Sequence, residues 1–72
     1  MNVYENAFGV NFFRGPASSI DAACALVGAR TWQPDSVPVT LGAEHPCLPS
    51  SVLGIPLVGD DLTTVVGYAV VG

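Results

Sequence analysis

The chain has 72 residues, of which half are hydrophobic and 11% are charged, and its formal net charge is −4. It contains no lysine, and Arg14 and Arg30 are its only cations, so the composition argues against nucleic-acid binding and against electrostatic attachment to anionic lipid, both of which need clustered basic side chains. A chain of this length forms a single small domain, 1–72, and such domains commonly need a disulfide, a metal or a partner subunit for stability.

Residues 1–16 are predicted to form an extended N-terminal arm or strand. Apolar residues alternate with polar ones here, and Tyr4, Phe8 and Phe12 fall on one parity. A period of two is typical of a half-buried strand. Gly9 is expected to mark a bulge or a close approach of another backbone segment.

Residues 17–30 are predicted to contain a short helix, over about 18–28. Ser18 is the expected N-cap, and Asp21 would lie near the positive end of the helix dipole. Gly28 fits the position just past the last helical residue. The apolar residues that repeat at helical spacing are Ile20, Ala23, Cys24 and Val27. Because a helix this short is not stable alone, its apolar side must pack on the rest of the chain.

The second half of the chain is predicted to be mostly β-structure. Residues 31–51 are expected to be irregular, apart from an edge strand at 37–41, in which Pro38 has no N–H to donate. Residues 52–72 are predicted to form a hairpin with a turn at 59–61. Its last strand is apolar on both faces, so we expect another molecule to supply part of its cover.

These elements together predict a small β-rich α+β fold. It would have antiparallel strands with a C-terminal hairpin, one short helix and extended, irregular arms. The N-terminal residues lack the basic and apolar regions of a signal peptide, so none is predicted. The apolar C-terminal run is not expected to span a membrane, because Asp60 and Asp61 would each cost about 2.5 to 3.5 kcal/mol within the bilayer.

Three combinations of side chains could carry chemistry, and each has a simpler explanation. Cys24, His45 and Cys47 include zinc ligands, but a structural zinc site needs four ligands, usually in closely spaced pairs. A Cys–His pair could be a nucleophile and its base, but so small a domain offers little room for a cleft. Asp60 and Asp61 are better explained as turn residues than as a cation site. We therefore expect no enzyme activity, no metal and no cofactor.

The redox state of the two cysteines is a separate question. With no export signal, Cys24 and Cys47 are expected to be reduced, buried thiols. A disulfide between them is the alternative, and it would stabilise the chain by about 3 kcal/mol in an oxidising compartment.

The aromatic residues and the last strand are the predicted interaction residues. The core of so short a chain cannot absorb all of its aromatic side chains, so some should anchor a partner. The expected anchors are Tyr4, Phe8, Phe12, Phe13 and Trp32, and the expected strand-pairing surface is Val66, Tyr68, Val70 and Val71. Addition of this strand to the sheet edge of another protein is the expected mode of binding.

The profile is similar to that of small accessory proteins of virus particles, since it is short, acidic, lysine-free and rich in glycine and proline, with apolar ends. The resemblance is one of type, and it implies a structural role as a capsid cement or decoration subunit or a minor tail component. The protein would then reside in a virion assembled in the host cytoplasm, bound to larger shell or tail subunits, to copies of itself, or to both. The alternative is a small homo-oligomeric protein-binding or regulatory module.

Overall fold

A computed structural model describes residues 1–41 and 50–71 of the chain. This part contains six strands and one helix: β1 (Asn2–Ala7), β2 (Val10–Pro16), α1 (Ile20–Val27), β3 (Thr31–Trp32), β4 (Val37–Leu41), β5 (Ser50–Val58) and β6 (Val65–Val70). The strands pair antiparallel, and β5 and β6 form a C-terminal hairpin. The predicted small β-rich α+β class is confirmed.

The six strands belong to one sheet, in which β6 is an interior strand. The order across the sheet is β2-β1-β6-β5, and β3 and β4 lie along the outer edge of β5. Tyr68 of β6 is opposite Tyr4 on one side and Pro56 on the other. The apolar end of the chain is therefore paired along both edges by its own neighbours, which explains why so few polar residues are needed there.

The N-terminal segment forms a hairpin instead of one extended arm. Phe8 and Gly9 connect β1 to β2 with φ angles of +54° and +74°, and Ala7 is opposite Val10. Two consecutive positive φ values in a two-residue loop define a type I′ turn, whose twist matches that of the flanking strands. Gly9 is thus a turn residue, and the predicted bulge at this position is wrong.

Helix α1 is capped at both ends by local hydrogen bonds. Ser19, and not the predicted Ser18, is the N-cap: its backbone is extended, and its Oγ accepts a hydrogen bond from the N–H of Ala22 at 3.1 Å. Gly28 ends the helix in a left-handed conformation with φ +68°. The prediction for Gly28 is confirmed, because only a residue without a Cβ adopts this conformation at little cost.

The two adjacent serines give a test of the cap. We expect Ser19→Ala to lower the free energy of unfolding by about 1 kcal/mol, because the N–H of Ala22 loses its acceptor. Ser18→Ala is the matched control, since Ser18 precedes the cap and is exposed, and its effect should stay below about 0.5 kcal/mol. Urea unfolding followed by circular dichroism measures both, and an equal loss in the two variants would argue against Ser19 as the cap.

The main core lies between α1 and one face of the sheet. Its buried members are Val3, Ala17, Ala23, Cys24, Leu57 and Ala69. The helix packs against β6 at Gly67, where an added Cβ would lie 3.2 Å from both γ-carbons of Val27. Small side chains on α1 and β6 therefore set the distance between the helix and the sheet.

The sheet curls on the side away from the helix. Val39 on β4 is only 3% exposed, and it packs over Gly54 beside Val70. The side-chain N–H of Asn11 on β2 donates to the carbonyl oxygen of Thr40 on β4 at 3.1 Å. Because β2 and β4 occupy opposite edges of the sheet, this bond requires the two edges to approach each other. The curl buries a second group of apolar side chains on the face of the sheet opposite α1.

Candidate interaction surface

The β1–β2 hairpin concentrates exposed aromatic side chains. Phe8 is 100% exposed, Phe12 43% and Phe13 55%, and we call these three residues the hairpin aromatics. Single exposed apolar residues are normal on a protein surface. Three phenylalanines within one short hairpin are a different case, because aromatic residues are enriched in protein–protein interfaces. This hairpin is the main candidate for contact with a partner, and its consecutive residues Phe12 and Phe13 point to opposite faces of the sheet.

Phe13 forms the outer end of an aromatic row that crosses three strands. It lies opposite Tyr4 on β1, and Tyr4 lies opposite Tyr68 on β6. The ring centroids of Tyr4 and Phe13 are 5.4 Å apart, and the rings are tilted by 58°, which is a favourable aromatic geometry. Tyr4 and Tyr68 are half-buried. The row therefore holds the exposed Phe13 ring in a fixed position at the edge of the sheet.

Phe12 is held by a cation on the same strand. The guanidinium carbon of Arg14 lies 5.8 Å from the centroid of the Phe12 ring. The Nε–H of Arg14 also donates to Oε1 of Glu5 at 2.8 Å. Each exposed contact of this kind contributes about 0.5 kcal/mol. Their main effect is to order Phe12 and to offset the one charge that β2 carries.

One of the hairpin aromatics, Phe8, lies at the same end of the sheet as the exposed Leu62, and we call these two residues the apolar tips. Both have a positive φ, +54° and +62° respectively, and Leu62 is 53% exposed. Because β1 pairs with β6, the Phe8 turn and the loop 59–64 leave the sheet at the same end. A left-handed conformation costs a residue with a Cβ roughly 1–2 kcal/mol, and side chains this exposed gain little packing in return.

Asp61 fixes the loop that carries Leu62. Its carboxylate accepts the backbone N–H groups of Thr63 at 3.0 Å and Thr64 at 2.8 Å, and it accepts the Thr64 hydroxyl. These hydrogen bonds, above all the one from the Thr64 hydroxyl, lower the pKa of Asp61 to about 2. The neighbouring Asp60 has a side chain that is 95% exposed and lies 3.9 Å from Arg30. The turn expected at 59–61 is present, and the loop itself engages the Asp61 carboxylate.

The remaining predicted interface residues do not lie together in the structure. Trp32 is 40% exposed on β3, on the opposite side of the sheet order from β2. Val66 is half-buried, and Val71 is 73% exposed just after the last strand. Val70 is 7% exposed and belongs to the interior, because β4 curls over it. Val70 is therefore not an exposed interface residue.

The predicted use of the last strand for pairing with another protein is wrong. Both edges of β6 are already bonded, by β1 and by β5. Strand addition at this position would require one of these ladders to break. The strand that ends the sheet order is β2, so Phe12 and Phe13 lie at an edge while Val66 and Tyr68 do not.

The hairpin predicted over 52–72, with its turn at 59–61, implies that Leu62 begins the last strand, so Leu62 was not predicted to be a surface residue. The signal was present in the Asp-Leu-Thr-Thr segment at 61–64. An aspartate followed by threonines two and three residues later is typical of a turn in which the carboxylate accepts backbone N–H groups. Such a turn prevents a strand from starting before Val65.

The described residues do not form the nucleophilic or metal sites that were considered from the sequence. Cys24 is a buried thiol on α1, and burial, aided by the charge of Asp21, raises its pKa, whereas an activated nucleophile needs a lowered one. His45 and Cys47 lie outside the described residues. Within 1–41 and 50–71, no group of three or more His, Cys, Asp and Glu side chains could hold a metal ion.

The same part of the chain has no helix long and apolar enough to cross a membrane. Comparisons with protein-family models, with curated proteins and with solved structures found no match.

Proposed function

We propose that the protein is a structural assembly protein without enzyme activity, specifically a small virion accessory subunit of the capsid cement, decoration or minor tail type. It would join the particle in the host cytoplasm and bind larger shell or tail subunits through the hairpin aromatics and the apolar tips. Its effect would be to bury apolar area between subunits and so to raise the barrier to disassembly. The observation that carries the proposal is that Phe8 is fully exposed and has a left-handed backbone conformation.

Phe8 is unfavourable for the isolated chain in two ways. Its backbone has the left-handed conformation that asparagine and glycine prefer at this position of a type I′ turn. Its side chain is 100% exposed, so the ring gains no burial within the chain. A partner pocket would offset both costs, because burying a phenylalanine side chain stabilises a complex by about 1.5–3 kcal/mol. Residues held in unfavourable conformations are a reason to look for function.

The charges near the apolar tips indicate what kind of partner surface would fit. Asp60 and Asp61 lie beside Leu62, and Asp60 projects into solvent. The chain as a whole is acidic, with a net charge of −4. A complementary surface on a shell or tail subunit would have apolar pockets for Phe8 and Leu62 and a basic rim facing Asp60.

We expect Phe8→Asn to stabilise the isolated chain and to weaken its incorporation into the particle. Asn-Gly is the preferred dipeptide for this turn, so the free energy of unfolding should rise by roughly 1 kcal/mol. Loss of the ring should reduce the bound fraction at least about tenfold if Phe8 is an anchor. Denaturant unfolding measures the first effect, and quantification of the chain on particles purified from the cells that produce it measures the second.

Two variants control this experiment. Phe8→Tyr retains an aromatic ring and the same backbone conformation, so its incorporation should stay close to that of the natural chain. Leu53→Asn removes another apolar side chain, 66% exposed and outside the hairpin, and should also incorporate normally. Normal incorporation of Phe8→Asn would remove Phe8 from the interface. Recovery of the natural chain only as a free species, and never on a particle, would reject the assembly role itself.

The second candidate is a small homo-oligomeric protein-binding or regulatory module. The observation that favours it is the position of β2 at the end of the sheet order, with two exposed phenylalanines. Such a module would be recovered from cells as a self-associated species that no particle accompanies.

A further inference from the structure

The turn between β1 and β2 is strained at one residue. Phe8 has a φ of +54°, and its side chain is 100% exposed, so packing within the chain does not offset the conformational cost. A two-residue turn of this type prefers asparagine or glycine at this position. Gly9 adopts its own φ of +74° at little cost. The closed hairpin therefore depends on an unfavourable conformation of Phe8.

The sequence on both sides of this turn favours one continuous strand. Apolar and polar residues alternate through the turn, and Tyr4, Phe8 and Phe12 fall on one parity, which is typical of a strand. A short hinge loop under strain favours domain swapping, in which an element leaves its own chain and takes the same place in another copy. Opening of the turn would join β1 and β2 into one extended segment and release Phe8 from its positive φ.

We infer that two copies of the chain exchange β1, with the Phe8-Gly9 turn open in both. The place that β1 leaves lies between β2 and β6, which pair with its two edges. Val3, at 0% exposure, fills the core at this place. An unrelated strand could form the backbone ladders, but it would not supply the buried valine or the carboxylate of Glu5 that pairs with β2. The occupant is therefore β1 of a second copy.

The contacts between β1 and β2 form equally well between copies. The Nε–H of Arg14 donates to Oε1 of Glu5 at 2.8 Å, and the ring centroids of Tyr4 and Phe13 are 5.4 Å apart. Both contacts are restored when β1 comes from another copy, because an exchanged element makes the same interactions as before. The exchange therefore keeps the contacts of β1 and removes one strained turn from each copy.

The outer edge of β2 is unchanged by this exchange, because Asn11 still donates to the carbonyl oxygen of Thr40 in its own copy. Loss of the independent motion of two chains opposes the dimer, so the dimer fraction should rise with concentration. Because β1 must leave two ladders before it can exchange, we expect the dimer to form on refolding and to dissociate slowly after dilution. The inference concerns the isolated chain and does not depend on the virion role.

Variants at the two turn residues test the exchange. After refolding at about 1 mM, size-exclusion chromatography should show a monomer and a dimer of the natural chain. Phe8→Asn favours the closed turn by about tenfold per copy, so the dimerisation constant should fall about a hundredfold. Gly9→Val should raise it at least about a hundredfold, because a β-branched residue is unfavourable at positive φ and favourable in a strand. An added Cβ at Gly9 meets nothing within 4 Å apart from its chain neighbours, so no clash prevents this variant from folding.

Two results of this experiment overturn the inference. One is a natural chain that stays monomeric under these conditions. The other is equal dimerisation of the natural chain and Phe8→Asn, because the open turn would then not be the source of the dimer. Circular dichroism checks that each chain is folded.

Charge reversal at the pair formed by Glu5 and Arg14 identifies the exchanged strand. Glu5→Arg places two arginines opposite each other within one chain, and Arg14→Glu places two glutamates there. Exchange of β1 between these variants brings opposite charges together in both halves of a mixed dimer. After the two variants are refolded together at low salt, the ratio of mixed to matched dimers should be at least about three times the statistical value. Native mass spectrometry counts the species.

A mixture of Glu5→Arg with Arg30→Glu is the matched control. Its two chains have the same net charges as those of the first mixture, but Arg30 lies near Asp60 and not on β2. Exchange of β1 therefore restores no more pairs in its mixed dimers than in its matched ones, and the ratio should stay close to the statistical value. Equal ratios in the two mixtures would show that the copies associate without exchanging β1.

Discussion

Gly67→Ala should destabilise the protein by about 3 kcal/mol, which approaches the lower end of the total stability expected for a domain of this size. The added Cβ would lie 2.5 Å from the carbonyl oxygen of Tyr4 and 3.2 Å from both γ-carbons of Val27. The carbonyl belongs to the neighbouring strand β1, which cannot withdraw without breaking its ladder with β6. The helix blocks the other direction.

Gly59→Ala is the matched control for this substitution. At Gly59 an added Cβ would meet its nearest neighbours at 3.7 Å and 4.0 Å, which are ordinary van der Waals distances. Its effect on the free energy of unfolding should stay below about 0.5 kcal/mol. Guanidinium unfolding of the two variants measures the difference. Equal midpoints would mean that the helix does not lie against β6 at Gly67.

Leu57→Ala should cost about 2–5 kcal/mol, because it opens a cavity in the middle of the helix-side core. Leu57 is the largest of the fully buried side chains, with 0% exposure, and it lies on β5 between β6 and β3. Typical stabilities per residue give a chain of this length about 4–11 kcal/mol in total. The variant should therefore be partly unfolded at moderate temperature.

Leu53→Ala makes the same chemical change on the same strand at a side chain that is 66% exposed. It should lower the melting temperature by only a few degrees, whereas Leu57→Ala should lower it by at least about 10 °C. Scanning calorimetry compares the two directly. A similar shift in both would show that β5 does not present Leu57 to the core.

Local sequence signals predicted the elements that depend on local chemistry. Gly28 ends α1 because its left-handed conformation excludes most other residues. The edge strand was predicted at 37–41 and is found at Val37–Leu41, and β5 and β6 form the expected hairpin. At the start of α1 the sequence has two adjacent serines with the same capping chemistry, so the local signal did not distinguish Ser19 from Ser18.

Two kinds of feature could not be predicted from the sequence: a turn that lacks its usual residues, and the pairing of segments that are distant along the chain. The Phe8-Gly9 turn lacks the usual Asn-Gly or Asp-Gly signal, and Phe8 continues the apolar alternation through it. The interior position of β6 results from its pairing with β1, which is almost the whole chain away. Hydrophobicity identified the exposed Phe12, Phe13 and Trp32 as candidates, but it could not distinguish them from Val70, because an interior strand and an edge strand can have the same composition.

The pairing of Asn2 with Val70 also determines when the protein can fold during synthesis. Until residues 65–70 have left the ribosome, β1 has only β2 beside it, and an isolated two-stranded hairpin is marginally stable at best in water. The nascent chain therefore leaves Val3 of β1, which is fully buried in the folded protein, without its cover until β6 has emerged. Folding of the sheet should therefore follow emergence of β6, with the slow kinetics typical of β-sheets closed by distant segments.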